Sequence, residues 1–508
     1  DAMRTEEQAA GVQFPVGPDG RRSTTTTGKV VLAAAVREVD AELAAAIEGQ
    51  AEWRKNYGPH LVRLVTLALE STEAVGMVSN GLDAAHDAFR FHRDGVEMTP
   101  REAMQHYSAP RYETGVVEGA AERRTILEIP HRGERLSGDA LRRQIDEWAE
   151  RGLLEPSAAE ALRELIDNPA WLDLRDQHFA LLGAAAEVGP FAVLSSFGAN
   201  VMAVDLHRAD IWRRLIATAR AGAGRMCFPL REAAPPDASD EQLAELAGSD
   251  LLRRAPEIAT WLEGFEVPFC IGGYAYLHGP DHVRVEIAMD AIMERLLDRR
   301  SDVALAFLLT PTDVFVIPQE AAEAARADFA NKRPSRLWRE PLRQVSGGRL
   351  FAPNAERTVR DAVGRVYGLY DGIVPQQGPN YALAKRIQKW RALTARAAGH
   401  RVSANVAPST ATASVTMRKE FAAAFAGARH YGVEVFEPAT TNAVMAALLI
   451  HDLRQEDCPA NPAFPLRHPL ELFMDKSVHG GLWRAGLQLR SVLEIAAVRG
   501  FLGGSRTN

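Results

Sequence analysis

The sequence predicts an α/β protein built on a doubly wound parallel sheet, and three observations carry that prediction. From His178 onward, short apolar runs alternate with helical patterns, the arrangement of a sheet with crossover helices. The first apolar run ends in a glycine-bearing turn and the second in an acid. The alternation then persists late into the chain, where a helix beginning near residue 381 is followed by another apolar run.

Taken in order, HFALLGA reads as a strand, PFAVLSSFG as a helix and ANVMAVDL as a second strand. RMCFPL is a third strand and PFCIGGYAYL a fourth; DVALAFLL is a fifth, preceded by the helix VEIAMDAIMERLLDRR. A helix from about Tyr381 to Ala398 and a strand in RVSANVA complete the pattern. Ahead of it, Lys29 to about Leu165 is rich in Ala, Glu, Leu and Arg at near-helical apolar spacing. A chain of 508 residues exceeds what one core usually organises. The expected organisation is a flexible arm over 1–28, a helical domain over 29–170 and a sheet domain over 171–450 with an insertion at about 318–375. A helical C-terminal extension is expected over 451–508.

Apolar residues make up 46% of the chain and charged residues 25%, the balance of an ordinary globular protein. A net charge of -7 argues against a nucleic-acid partner, which calls for a basic face, and favours small-molecule partners. Cys227, Cys270 and Cys458 are widely spaced, so neither a zinc site nor a disulfide framework is expected and no metal is assigned. No apolar run is long enough to span a membrane and the N-terminus lacks signal-peptide order; a cytoplasmic location is the expectation.

The first chemical signal lies between Phe179 and Asp205. Gly183 at a strand end permits a tight turn, and Gly189 at a helix start permits a pyrophosphate to approach backbone amides. Asp205 follows Gly183 by 22 positions, where a carboxylate accepts from adenosine ribose hydroxyls. This favours NAD, while Arg208 could instead hold the 2'-phosphate of NADP. Glu187 occupies a place where dinucleotide binders often carry glycine, and its charge suits a pyrophosphate only if it points away. The expected lining of this turn is Gly183, Ala184, Glu187, Val188, Gly189, Asp205, Leu206 and Arg208. The same pattern suits S-adenosylmethionine-dependent methyltransferases, or an ordinary strand-to-helix turn.

The second signal runs from Asn380 to Thr412. Tyr381 and Lys385 are four residues apart, so a helix places both on one face. An ammonium beside a phenol favours the phenolate, bringing a group of intrinsic pKa near 10 towards acid/base use. The helix is followed by Val402-Ser-Ala-Asn405-Val-Ala-Pro408, with Ser409, Thr410 and Thr412 beyond. In Tyr381-Ala-Leu-Ala-Lys385, the helix length and the Asn405-to-Pro408 segment, the chain resembles the short-chain dehydrogenase/reductase superfamily over roughly residues 175 to 450.

The resemblance implies a Rossmann-type fold and reversible hydride transfer between a nicotinamide cofactor and a carbonyl/alcohol pair. Tyr381 would exchange the proton, Lys385 would tune it and hold ribose, and Asn405, Pro408, Ser409, Thr410 and Thr412 would line the nicotinamide pocket. It also implies assembly as an oligomer. The family's serine, about a dozen residues before the tyrosine, falls here on Gly368, which offers no hydroxyl. The better alignment ends the fifth strand at Thr310-Pro-Thr312, with Thr310 preferred over Thr312 as the substitute and an insertion before Tyr381. Gly272, Gly273 and Tyr274 stand where the family has an asparagine-containing segment.

Asp250 reads as an adenine contact or a helix cap. His479-Gly-Gly-Leu-Trp-Arg484 reads as a tight turn or a lid. A roomy, covered site for a bulky substrate is one expectation, and a non-catalytic scaffold or sensor is the principal alternative function.

Overall fold

The computed structural model describes residues 10–331, 341, 343–347, 350–374, 376–413 and 427–492. Its centre is a seven-stranded sheet: β1 (Glu113–Glu118), β2 (His178–Leu182), β3 (Asn200–Val204), β4 (Arg225–Leu230), β5 (Phe269–Gly273), β6 (Val303–Leu309) and, after the insertion, β10 (Val402–Val406). The order across the sheet is β10-β6-β5-β2-β3-β4-β1. All neighbours are parallel except β1 and β4. Counted from β2, the parallel strands run 3-2-1-4-5-6, the doubly wound order that reverses between β2 and β5. This is the α/β fold that the alternation predicts, with strands where the apolar runs stand.

Helices cover both faces, which is why the strands are nearly continuous apolar runs. On β2, Ala180 and Leu182 join one core while Phe179 and Leu181 join the other. The first core packs α1 (Thr24–Val36), α2 (Ala41–Gly49), α3 (Trp53–Glu70), α4 (Ala74–Ala88), α9 (Leu251–Glu263), α10 (Pro280–Arg299) and α12 (Gly378–Ala397). The second packs α5 (Gly138–Glu150), α6 (Pro156–Asp167), α7 (Phe191–Ser196), α8 (Ala209–Arg220) and α13 (Pro438–Arg454). Between β6 and α12 the chain inserts α11 (Gln319–Asn331) and a small antiparallel sheet of β7 (Val314–Ile317), β9 (Val366–Asp371) and β8 (Thr358–Arg360). These elements span Val314 to Asp371, where the sequence reading places an insertion at about 318–375.

Three expected boundaries are corrected. Residues 10–28 are not an arm: Gly11–Gln13 pairs with Arg90–Arg93, and α1 starts at Thr24 with Ser23 accepting from the Thr26 amide. No break falls at residue 170, because β1, from the N-terminal region, is the edge strand of the central sheet. From residue 455 to 488 the described chain is turns, loops and one 3-10 segment, Pro469–Phe473, in place of the expected helices, and a helix begins only at residue 489; the segment packs into both cores through residues such as Val478 and Trp483. Residues 493–508 lie outside the described residues.

The N-terminal helices are tied to the sheet domain by close packing and buried charge. Gly81 on α4 lies under Trp390 of α12, where a Cβ would come within 2.6 Å of the indole ring. Asp290 of α10 takes Nε and Nη2 of Arg391 at 2.7 and 2.8 Å and His86 of α4 at 2.7 Å. All three side chains are buried, and Arg391 and His86 hold the Asp290 carboxyl well below the usual carboxylate range despite burial. Removing one member leaves an uncompensated buried charge. Arg391→Met should therefore cost about 3–5 kcal/mol in urea denaturation, and a cost below about 1 kcal/mol would contradict this pairing.

Candidate functional site

The site expected from the sequence comes together at the C-terminal edge of the parallel strands, where doubly wound sheets bind ligands. Tyr381 opens the first turn of α12 and Thr310 and Thr312 follow directly on β6. The two threonine hydroxyls are 2.9 Å apart, and both act on the Tyr381 phenol, drawing its pKa down. Lys385 lies one turn on, its Nζ 5.6 Å from the centre of the Tyr381 ring. The long insertion between β6 and α12 does not separate these groups, because its small sheet leaves and returns at the same edge.

Burial governs their electrostatics. It pushes the Tyr381 phenol up to about 12, against the smaller downward pull of the Thr310 and Thr312 hydroxyls. The expectation that Lys385 brings the phenol down is thus not met in this state, where the phenol is a protonated acid across the neutral range. Burial also lowers Lys385, opposed by the carboxylates of Glu286 and Asp313.

The expected nucleotide turn is more heavily committed to its own fold. Gly183 has φ +86°, and a Cβ on it would stand 2.6 Å from Cα of Ala275 in the chain leaving β5. The amides of Gly183 and Ala184 donate to Val204 O at 2.8 and 3.1 Å, and those of Ala186 and Gly189 are bonded within the turn. The Ala185 amide donates to Asp205 Oδ2 at 2.8 Å and the Leu206 amide to Oδ1 at 2.8 Å. Asp205 therefore braces the turn, and its half-buried carboxyl is raised by desolvation. The helix that follows, α7, has six residues, too short to supply the extended dipole expected of a pyrophosphate-binding helix. Glu187 does point away: both its oxygens accept from the Ala413 amide at 3.1 and 3.0 Å.

Other expected residues fall in different places. Arg208 pairs with Asp210 at 2.7 Å on the surface. Asp250 is the N-cap of α9, accepting from Leu252 and Arg253. Tyr274 folds back over Gly272, and its amide donates to Leu182 O at 2.7 Å; Gly273 ends β5 in the core. Asn405 is buried and donates to Asp452 Oδ2 at 2.7 Å rather than opening onto the edge. Pro408 and Ser409 form the exit from β10, with Ser409 O accepting from Phe436, and Thr410 pairs with Thr441 at 2.8 Å. The Thr412 amide donates to Thr410 O at 2.8 Å. A small cavity lies among Val188, Tyr274, Asn405 and Asn442. His479 is a turn residue, its Nε2 2.8 Å from Glu155 Oε1 beside Arg484 and its ring stacked on Trp483. That is the tight turn rather than the lid.

Two residues of the site escaped the sequence reading. His282, on the first turn of α10, is buried and stacks on Tyr381 at 5.6 Å and 26°. Neither of its ring nitrogens has a hydrogen-bond partner among the described residues. Glu286, one turn further, faces Lys385. Their i, i+4 spacing on an apolar helix was the available signal.

Gly183→Ala would force an alanine into a left-handed conformation and against Ala275, and should destabilise the protein by about 1–3 kcal/mol. Denaturation of this variant with unchanged midpoint and slope would refute that account of the turn.

No family model matches the sequence, and no curated protein matches it. Among solved structures, 3-oxoacyl-(acyl-carrier protein) reductase from Brucella melitensis is similar at TM-score 0.32 and 12% identity, over 55% of this chain and 85% of that one. A thiolation-reductase di-domain from an archaeal non-ribosomal peptide synthetase is similar at TM-score 0.25 and 14% identity, over 50% of this chain and 47% of that one. Neither likeness bears on activity; the strand order and its parallel registers carry the fold assignment.

Proposed function

We propose that the chain is an NAD(P)-dependent oxidoreductase acting on a carbonyl/alcohol pair, with Tyr381 as the acid/base. The observation that carries this reading is the meeting of the Thr310–Thr312 hydroxyl pair at the end of β6 with the Tyr381 phenol, whose pKa it lowers, and with Lys385 one turn away.

The residues fit a dinucleotide at two places. Asp205 uses one amide per oxygen and keeps further lone pairs for ribose hydroxyls. In the cavity beside Asn405, the buried Oδ1 of Asn442 has no partner among the described residues and can accept from an amide. Asp205 would hold the adenosine end, and Lys385 and the segment Pro408 to Thr412 the nicotinamide end. The cofactor, when bound, supplies or accepts a hydride.

In the reductive direction, Tyr381 gives its phenolic proton to the substrate oxygen. A phenol that is protonated throughout the neutral range is suited to that direction. Thr310 and Thr312 orient the oxygen by hydrogen bonding and compensate the phenolate as it forms. Lys385, as ammonium, stabilises that phenolate.

A second reading, a dinucleotide-binding scaffold or sensor without turnover, is favoured by one observation: the amides of Gly183 to Ala186 and of Gly189 are already bonded within the chain. The two readings separate on one variant. With NADH or NADPH and a panel of ketones, Tyr381→Phe should lower kcat by about 10²–10⁴ with nucleotide affinity unchanged in a fluorescence titration. Asp205→Ala should weaken affinity roughly tenfold. Nucleotide binding without turnover of any carbonyl or alcohol would favour the scaffold, and a thermal shift with S-adenosylmethionine alone would overturn both.

A further inference from the structure

Helix α10 presents four polar residues to α12, one per turn: His282, Glu286, Asp290 and Glu294. The two at the far end are matched by guanidinium groups. Asp290 is bound by Arg391, and Glu294 takes Arg391 at 2.9 Å and Arg101 at 2.7 and 2.8 Å. Their carboxyls are held down, that of Glu294 to about 2.

Glu286 has no such partner. Its side chain is 2% exposed, and among the described residues its hydrogen-bond donor is the neutral amide Nε2 of Gln388, at 2.9 Å. The other end of that amide, Oε1, accepts from Lys385 Nζ at 3.3 Å. Gln388 thus bridges a buried carboxyl on α10 to the lysine that stands one turn from Tyr381. The groups acting on Glu286 are Lys385 and Gln388 from α12 and Asp290 from its own helix; His86 of α4 is one step removed, bonded to Asp290. His282 occupies the turn above, against Tyr381. Burial lifts the Glu286 carboxyl above the usual carboxylate range, and the Lys385 ammonium pulls it back down.

We infer that Glu286 is a positioning residue of the Tyr381 site: from the facing helix, and through Gln388, it orients Lys385 and holds its ammonium in place beside the phenol. The inference rests on the proposed acid/base role of Tyr381. A half-buried lysine stripped of part of its hydration tends to lose its proton, and of the groups opposing that loss Glu286 ranks ahead of Asp313. Asp313 is itself engaged by Arg386 and, at 2.7 Å, by Lys389. The ionisation of Lys385 is therefore controlled from α10, a helix that does not carry the Tyr-Lys motif.

The test reads Lys385 directly, without turnover. In protein carrying 13Cε-labelled lysine, the Lys385 resonance, assigned by its loss in Lys385→Met, is titrated against pH by NMR. In Glu286→Gln the Lys385 midpoint should fall by at least about one pH unit, while that of Lys389, held by Asp313, should stay. Gln388→Leu serves if the first variant does not fold. It removes the donor that stabilises the Glu286 carboxylate, so the Lys385 midpoint should again fall. An unmoved Lys385 midpoint in whichever variant folds would overturn the inference. A chain that binds no nicotinamide nucleotide but shows the shift would overturn the proposed reaction and leave this coupling standing.

Discussion

The structure depends on the packing of two long helices, α10 and α12, against each other and against one face of the parallel sheet. Their contact is polar where most helix pairs are apolar. Asp290 and Arg391 form a buried ion pair at its middle, extended by His86 from the N-terminal helices and by Glu294 and Arg101. Buried charges of this kind add little net stability when complete and cost heavily when broken. They specify one register between the helices, and that register sets His282 against Tyr381 and Glu286 against Lys385.

The same pairing explains why the N-terminal helices are not a separate unit. α4 contributes His86 to the ion pair and gives up a side chain at Gly81 to admit Trp390. The edge strand β1 extends the sheet on the far side. The chain before β2 thus contributes to both cores, and those cores extend into residues after 455 through Phe473, Val478 and Trp483.

Much of this was legible in the sequence, for identifiable reasons. Parallel strands covered on both faces are unbroken apolar runs, so HFALL, NVMAV and VALAFLL declare themselves. Tyr381 and Lys385 stood out by their four-residue spacing, and the Thr310-Pro-Thr312 corner only by its place at the end of the fifth apolar run. The strand Glu113–Glu118 was not: only Gly115 and Val117 face inward along it, and it pairs with a partner more than a hundred residues away. Nor was the commitment of the Gly183 turn, because the contact with Ala275 depends on where the chain leaves β5. His282 and Glu286 were hidden for a different reason. A histidine and a glutamate on a helix read as a solvated face until the facing helix is known.

The proposed site therefore joins the converging groups of Tyr381, Lys385, Thr310 and Thr312 with a Gly183 turn that is braced by its own chain. The measurement that most directly tests the central claim is hydrogen–deuterium exchange with and without NADH and NADPH. A nicotinamide nucleotide bound at this edge should slow exchange in residues 183–190, 205–208 and 405–413 together. Protection confined to other parts of the chain, or no change with either nucleotide at saturating concentration, would contradict it.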